Sequence, residues 1–315
     1  MFDAEKFIEK TITELKEGIK GSALIAFSGG VDSTVSAALV NKAIGDQLIA
    51  VHINTGYMRK NESENVKDLM EEMGLNFRYV DASKEYYNAL KDIEDPEVKR
   101  KIIGEKFIQL FENVADSEKI EYLVQGTIAP DWIESGDDLR DTIKSHHNVG
   151  GLPKNMKLKL VEPLRDLYKD EVRKVARALN LKVSEKQPFP GPGLAIRIIG
   201  KATPERTEIV RTACDIVEKE IEGAVEKGIM EKPWQYFAVL IPVKTVGVQG
   251  DIRAYGYTIA IRAVQSIDAM TCKYSDIPHE VLDKISIKIT NTMGNKINRI
   301  VYDVTNKPPG TVEWE

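Results

Sequence analysis

Residues Ala23–Phe27 form an uncharged apolar run that stops at Ser28-Gly29-Gly30. From Ser33 to Ile44 the pattern becomes helical, with Val35, Ala38, Leu39 and Ala43 on one face and Gly45 behind them. A buried strand, a two-glycine turn and an amphipathic helix in direct succession open a βα unit. The alternation then repeats. Leu48–Ile53 reads as a second strand, Glu62–Met73 as a helix stopped by Gly74, and Phe77–Val80 as a third strand. Pro96–Ala115 reads as a long helix with proline in its first turn, Tyr122–Gln125 as a fourth strand and Lys169–Leu179 as another helix. Phe2–Ile19 has helical spacing ahead of them all. Strands this apolar are buried on both faces, and parallel neighbours need crossover helices. The pattern therefore predicts an α/β fold, a parallel sheet covered by helices on both faces.

The pattern changes after Gln187. Pro188-Phe189-Pro190-Gly191-Pro192-Gly193 carries three prolines and two glycines in six residues, a stiff non-helical hinge. It divides the chain into expected domains 1–187 and 188–315. Beyond it lie a helix at Pro204–Lys227, strand-like runs at Gln235–Ile241 and Tyr257–Val264, a helix at Pro278–Asn291 and a strand at Arg299–Val304. These predict a smaller α+β domain. A length of 315 residues suits two domains.

Composition removes several classes of function. With 44 basic and 49 acidic residues the net charge is −5, against wrapping nucleic acid, which needs a basic face. No apolar run reaches the roughly 18 residues of a membrane span, and Met1–Lys20 has no uninterrupted apolar core of a signal peptide. The two cysteines, Cys214 and Cys272, form no CxxC pair, so neither a disulfide framework nor a zinc ribbon is expected. The expectation is a cytoplasmic protein with reduced thiols.

The sharpest local signal is Ser28-Gly29-Gly30-Val31-Asp32-Ser33-Thr34. Two glycines allow a tight turn and close approach of a ligand. The helix behind them offers free N–H groups and the positive end of its dipole, and Ser28, Ser33 and Thr34 add hydroxyls. An anion is the natural guest. Asp32 would repel a phosphate unless a cation intervened, which suggests Mg²⁺. The segment is neither a Walker A loop nor a G-x-S-x-G elbow. A capped β-turn is the plainer reading of the same residues.

SGGVDS resembles the pyrophosphate loop of the N-type ATP pyrophosphatases, which cleave ATP between the α and β phosphates and adenylate a substrate oxygen. Further segments narrow the resemblance: Lys99-Arg100-Lys101-Ile102-Ile103-Gly104, Gln125-Gly126-Thr127, Lys144-Ser145-His146-His147-Asn148-Val149-Gly150-Gly151-Leu152-Pro153, the Pro-Gly hinge, and the ending Lys307-Pro308-Pro309-Gly310-Thr311-Val312-Glu313-Trp314-Glu315. In this order they resemble the GMP synthetases, over about nine-tenths of the chain. One departure is Gln187, where that family usually has histidine.

The resemblance implies an adenine nucleotide α-hydrolase-like domain followed by a smaller dimerisation domain. The implied reaction is synthesis of GMP from XMP. ATP adenylates the purine C2 oxygen, pyrophosphate leaves, and ammonia displaces AMP. ATP and Mg²⁺ are the implied cofactors, and no nucleic acid or membrane is involved. Ser28, Gly29, Gly30, Val31, Asp32, Ser33 and Thr34 would cradle the phosphates, with Asp32 on the metal. Residues 144–159 would form a cationic lid, with Lys144, His146 and His147 its catalytic candidates beside Lys154, Lys157 and Lys159. A solvated surface loop is the plainer reading of the lysines. XMP would meet Asp251, Arg262, Lys307 and Glu313, and a homodimer would form through the second domain. Asp131 and Glu134, just after Gln125-Gly126-Thr127, are candidates for second-metal or ribose contacts, with solvated loop acids the plainer reading. Arg59 matches a family segment beside the nucleotide, and adenine would rest near Phe27 and Val51-His52-Ile53.

Ammonia in such enzymes comes from glutamine. A class I glutaminase needs a cysteine on a sharp strand-to-helix turn and a His-x-Glu. Cys214 falls in a helical pattern, Cys272 has no Gly-x-Cys-x-Gly turn, and no histidine is followed two residues later by glutamate. The expectation is a chain that uses ammonia alone and glutamine only with a separate class I glutaminase subunit. Two other readings compete. An NAD synthetase-like amidating enzyme should lack the 307–315 ending and the lid, and a non-catalytic nucleotide-binding module should lack the lid.

Overall fold

The computed structural model describes residues 2–131, 158–181, 187–249, 251–266 and 270–315. The chain divides into two compact units: Met1–Thr55, Asn61–Ala82 and Gly104–Lys186 in the first, Gly56–Lys60, Ser83–Ile103 and Gln187–Glu315 in the second.

The first unit is built on five parallel strands. These are β1 (Ala23–Ala26), β2 (Leu48–Asn54), β3 (Asn76–Asp81), β4 (Tyr122–Val124) and β5 (Lys159–Val161), in the spatial order β3-β2-β1-β4-β5. The α/β parallel sheet expected from the sequence is therefore present. Its helices are α1 (Ala4–Gly18), α2 (Val31–Ile44), α3 (Glu62–Glu72) and a later helix at Lys169–Ala178. Leu24 and Ile25 of β1 and Val35, Leu39 and Val40 of α2 are almost wholly buried with Val66, Met70, Val172 and Val175. Each such side chain contributes roughly 1.5–3 kcal/mol on burial. A β1 strand walled in on all sides explains why its sequence runs apolar without alternation. Of the residues expected to form the lid, 144–157 lie outside the described residues. Lys159 opens β5, with its ammonium 5.2 Å from the Tyr122 ring centre.

Two further helices follow β3: α4 (Ser83–Ala89), in the second unit, and α5 (Pro96–Ser117), whose residues 96–103 count with the second unit and the rest with the first. The Lys169–Ala178 helix is α6.

The second unit carries α7 (Pro204–Glu226), β6 (Gln235–Gln249), β7 (Ile252–Gln265), β8 (Lys273–Tyr274), α8 (His279–Met293) and β9 (Ile297–Tyr302). β6, β7 and β8 are antiparallel neighbours, and β9 pairs with β7 in parallel. Both long strands extend well past the stretches legible in the sequence. Pro242 and Gly247 look like strand breakers, but the β6–β7 register shifts between Ile241 and Thr245, an irregularity that accommodates the proline. Gly247 leaves room for Asn298, which a Cβ would meet at 2.7 Å. The Asn298 amide donates to Thr245 O at 2.9 Å and Ala254 O at 3.0 Å, tying the hairpin to β9. The outer part of the hairpin exposes Val243, Val246, Val248, Ile252 and Tyr255.

Candidate functional site

In the first unit the chain leaves β1 for β2 on one side and later returns to β4 on the other. The crevice beyond the carboxyl ends of two such strands is where open α/β sheets hold ligands. Ser28–Thr34 leaves β1 at this edge and Gln125-Gly126 leaves β4. Gly29 has φ +73°, and a Cβ there would lie 2.8 Å from Val66 Cγ2, so a side chain is excluded by conformation and by space. A Cβ on Gly126 would sit 3.1–3.2 Å from backbone atoms of Asp32 and Ser33, which brings the end of β4 against the loop.

Gly30 is the N-cap of α2 and no described side chain caps it. The first intrahelical bond runs from Thr34 N–H to Gly30 O at 3.0 Å. The amides of the first turn, with the dipole behind them, suit an anion. Three polar groups brace the turn in a ring. Gly30 N–H donates to Ser28 Oγ at 3.3 Å, Ser28 and Ser33 hydroxyls lie 3.0 Å apart, and Ser33 Oγ donates to Gly30 O at 3.0 Å. Thr34 is fully buried and its hydroxyl has no partner among the described residues.

Asp32 Oδ2 accepts from Lys169 Nζ, at the start of α6, at 2.5 Å. Its Oδ1 is buried without a partner among the described residues. An orphaned carboxylate oxygen beside free helix amides is the donor a hard cation takes. Among the described residues no group of three or more His, Cys, Asp or Glu could hold a metal. Among the described residues Asp32 is thus the candidate ligand, with phosphate oxygens and water completing the shell, the usual habit of Mg²⁺. Beside the loop, His52 Nδ1 lies 3.0 Å from Phe27 O and Nε2 3.0 Å from Ser63 Oγ. A carbonyl only accepts, so Nδ1 carries the proton and Nε2 accepts from Ser63. Burial pushes the His52 pKa below its usual value, although the Phe27 carbonyl, Glu62 and Glu64 oppose this. Phe27, Val51 and Ile53 are buried. Asp131 caps its own turn, accepting from Ile128 N–H at 2.9 Å.

The second unit gathers a different set. Gly193–Arg197 forms a short 3₁₀ turn, with Gly193 at φ +64°. A Cβ on Gly193 would meet Tyr57 O at 2.4 Å, and Leu194 N–H donates to that same carbonyl at 2.8 Å. The Pro-Gly run is thereby pressed onto residues 56–60, where the fully buried Tyr57 donates to Ala202 O at 2.9 Å. Two fully buried cations flank the turn. Arg197 holds Glu313 through two bonds of 2.8 and 3.0 Å, and Gln235 Nε2 donates to the same carboxylate at 2.9 Å. Burial opposes the Arg197 charge, but Glu313 outweighs it and raises the pKa. Lys99 donates to Ile198 O at 2.8 Å, to Ala195 O and to the Glu315 carboxylate, while Gly200 N–H donates to Glu315 at 3.1 Å. Burial pulls the Lys99 pKa down against the pull of Glu315.

Arg262, also buried, is the hub of the C-terminal segment. It donates to Thr305 O at 2.5 Å and Thr311 O at 2.8 Å and pairs with Asp303 at 3.2 Å. Asp303 also accepts from Trp314 Nε1 at 2.9 Å. Lys307 pairs its backbone with Cys272 in both directions, at 2.8 and 3.1 Å. Arg262, Lys307 and Glu313 thus share one bonded segment. Asp251, at φ +64° in the turn that starts β7, is eleven residues from Arg262, roughly 35 Å of extended strand at about 3.3 Å per residue.

Residues 22–187, more than half of the chain, match the family described as queuosine biosynthesis protein QueC, and residues 222–314 match the GMP synthase C terminal domain. Over the full length the chain is 55% identical to the B-type subunit of the glutamine-hydrolyzing GMP synthase of Thermoplasma acidophilum, covering 98% of both chains. It is 54% identical to the same kind of subunit from Methanopyrus kandleri, covering 100% of both, and 56% identical to that of Thermococcus kodakarensis, covering 99% of both. The chain belongs to the family of B-type GMP synthase subunits.

Membership makes the chain a ligase of GMP synthesis. No described helix is long and apolar enough to cross a membrane. Of the residues singled out from the sequence, Lys144, His146, His147, Lys154, Lys157 and Glu134 lie outside the described residues. Sequence reasoning misses Lys169 on Asp32, Arg197 on Glu313 and Lys99 on Glu315. The first pair spans 137 residues and the others 116 and 216, so no local spacing connects them. The one local hint is Arg197, a cation inside the apolar run Leu194-Ala195-Ile196-Arg197-Ile198-Ile199, whereas Lys99 sits among other charges and gives none.

Proposed function

We propose that this chain is the synthetase subunit that converts XMP to GMP, with ATP as the activating substrate. The purine C2 oxygen attacks the ATP α-phosphorus, the bond to the β,γ-pyrophosphate breaks, and the adenylated purine is formed. Ammonia then adds at C2, the C–O bond breaks, AMP leaves with that oxygen, and the nitrogen sheds its extra protons. The observation that carries this reading is full-length identity of 54–56% to the B-type subunits of GMP synthases.

The crevice fits the first step. The first-turn amides of α2 hold the terminal phosphates as an anion, and the braced Ser28-Ser33 ring fixes the turn. Mg²⁺, when bound, neutralises charge on the leaving pyrophosphate. Asp32 Oδ1 is the oxygen that would hold it, and Lys169 keeps the rest of that carboxylate in place. Lys144, His146 and His147 are proposed to add positive charge over the α-phosphate.

XMP is assigned to the second domain, 188–315, and ATP to 1–187. Lys307 suits the nucleotide phosphate and Glu313 the purine N–H groups. Glu313 already serves Arg197 and Gln235, but each carboxylate oxygen has a second lone-pair site. Arg262 acts on this reading by shaping the segment that carries Lys307. A homodimer is supported by the apolar hairpin surface around Val246, Val248, Ile252 and Tyr255. The distant Asp251 would then serve the partner's site. Glutamine is used through a separate class I glutaminase subunit, in the cytoplasm.

Pyrophosphate release from ATP, with ammonium and with or without XMP, tests the reading. Release that requires XMP is expected, and glutamine replaces ammonium only when the glutaminase subunit is added. XMP-independent release, or glutamine hydrolysis by the chain alone, overturns it.

A further inference from the structure

Four side chains of the second unit are stacked in series. The Arg59 guanidinium lies 4.4 Å from the centre of the Phe189 ring. Arg197 lies 5.2 Å from that ring and 4.0 Å from the ring of Phe237, which is fully buried. Phe189 thus sits between two guanidinium groups, and Arg197 between two rings. Both guanidinium groups of the stack are tied down by polar bonds. Arg59 donates to Gln187 O at 3.0 Å and Pro188 O at 3.2 Å and lies 3.5 Å from Glu218. Glu218 accepts from Gln187 Nε2 at 2.9 Å, and Gln187 Oε1 accepts from Tyr236 N–H at 2.7 Å. Arg197 grips Glu313 with its planar fork, and Gln235 bridges Glu313 to Pro188 O at 3.2 Å. Two segments far apart in sequence, 56–60 and 307–315, are therefore registered by one ladder of rings and guanidinium planes.

We infer that Phe189 and Arg197 are positioning residues for XMP, with Arg59 as the anchor of the stack, holding Glu313 in one fixed place so that a purine nucleotide meets a carboxylate already set. This rests on the XMP assignment above and adds to it. A guanidinium stacked on a ring keeps its orientation as well as its charge, which neither a lysine nor an aliphatic neighbour reproduces. Preorganisation of this kind lowers the ordering cost of binding rather than adding contacts. The signature is a loss of XMP affinity with little change in the chemical step. Gln187 fits the same picture, because its amide makes the two bonds at Glu218 and Tyr236 without carrying a proton that titrates near neutrality.

The test is XMP binding and ammonium-dependent turnover in the full-length chain bearing Phe189→Leu, Phe189→Tyr and Arg197→Lys. Phe189→Leu keeps apolar bulk and loses the ring. Its XMP KM is expected to rise on the order of tenfold, with kcat at saturating XMP and the KM for ATP within about twofold. Phe189→Tyr is expected to restore most of that affinity. Arg197→Lys, which keeps charge but loses the fork and the stack, is expected to behave like Phe189→Leu. The ladder is overturned if Phe189→Leu binds XMP as tightly as the unaltered chain, or if Tyr and Leu at 189 lose affinity equally. It is also overturned if kcat and Tm fall together while the XMP KM stays constant, which marks a merely structural role. Absence of XMP binding by the unaltered chain overturns the XMP assignment and the ladder together.

Discussion

On the proposed assignment, the phosphate crevice and the C-terminal segment solve the same problem, holding a charged nucleotide, by opposite means. The crevice uses seven consecutive residues and backbone amides, and its long-range side-chain pair among the described residues, Asp32–Lys169, is partly open to water. The C-terminal segment has little regular structure of its own after β9, and its shape is imposed by cations buried elsewhere in its unit, Arg197, Lys99 and Arg262. The first is a motif in the strict sense. The second is an assembly, and its parts mean little one at a time.

The largest expected effect breaks the assembly outright. Removing residues 307–315 abolishes GMP formation, while ATP binding, measured by equilibrium titration, stays largely intact. Equal loss of ATP binding would erase the contrast. Next comes Gly29→Ala in the motif. With φ +73° and Val66 Cγ2 at 2.8 Å, the added methyl displaces the loop, and kcat/KM for ATP falls on the order of a hundredfold, as misplacements near 1 Å do.

Two charge deletions sharpen the comparison by stability alone. Arg197→Met leaves Glu313 without its buried partner and is expected to cost about 3–5 kcal/mol by denaturant unfolding. Lys169→Met removes a half-exposed partner of Asp32 and is expected to cost about 1 kcal/mol or less. The smallest effect is a slope with pH. His52 has a lowered pKa when folded, so below about pH 6.5 the unfolded chain takes up a proton that the folded chain refuses, and stability declines as the pH drops. His52→Gln flattens that decline, and an unchanged slope would show that His52 does not cause it.

This contrast also explains what the sequence discloses. β1, the turn and α2 are legible because periodicity and glycine placement are local, and the same holds for the parallel sheet. Ser83–Ala89 and Lys159–Val161 escape a sequence reading because they are too short for a periodic signal. The outer hairpin is hidden because Pro242 and Gly247 imitate breakers. Glu313 stands out through its family tail, yet its partner Arg197 does not, since the 116 residues between them carry no pattern linking the two. Thr34 reads as a phosphate ligand from its place in the motif, and the burial of its side chain in the first turn of α2 is not legible there.

The chain passes between its two compact units five times, at 55/56, 60/61, 82/83, 103/104 and 186/187. Functional labels can be divided at 187/188, yet a gene cut there would yield two defective halves. The N-terminal half would keep Tyr57, Arg59 and Lys99 with nothing to close over them. The C-terminal half would carry a Gly193 turn facing an empty seat. A hybrid of two relatives joined at that single point therefore mismatches residues 56–60 and 83–103 with the tail they pack in one unit with, and a working hybrid has to carry those two segments over together with 187–315.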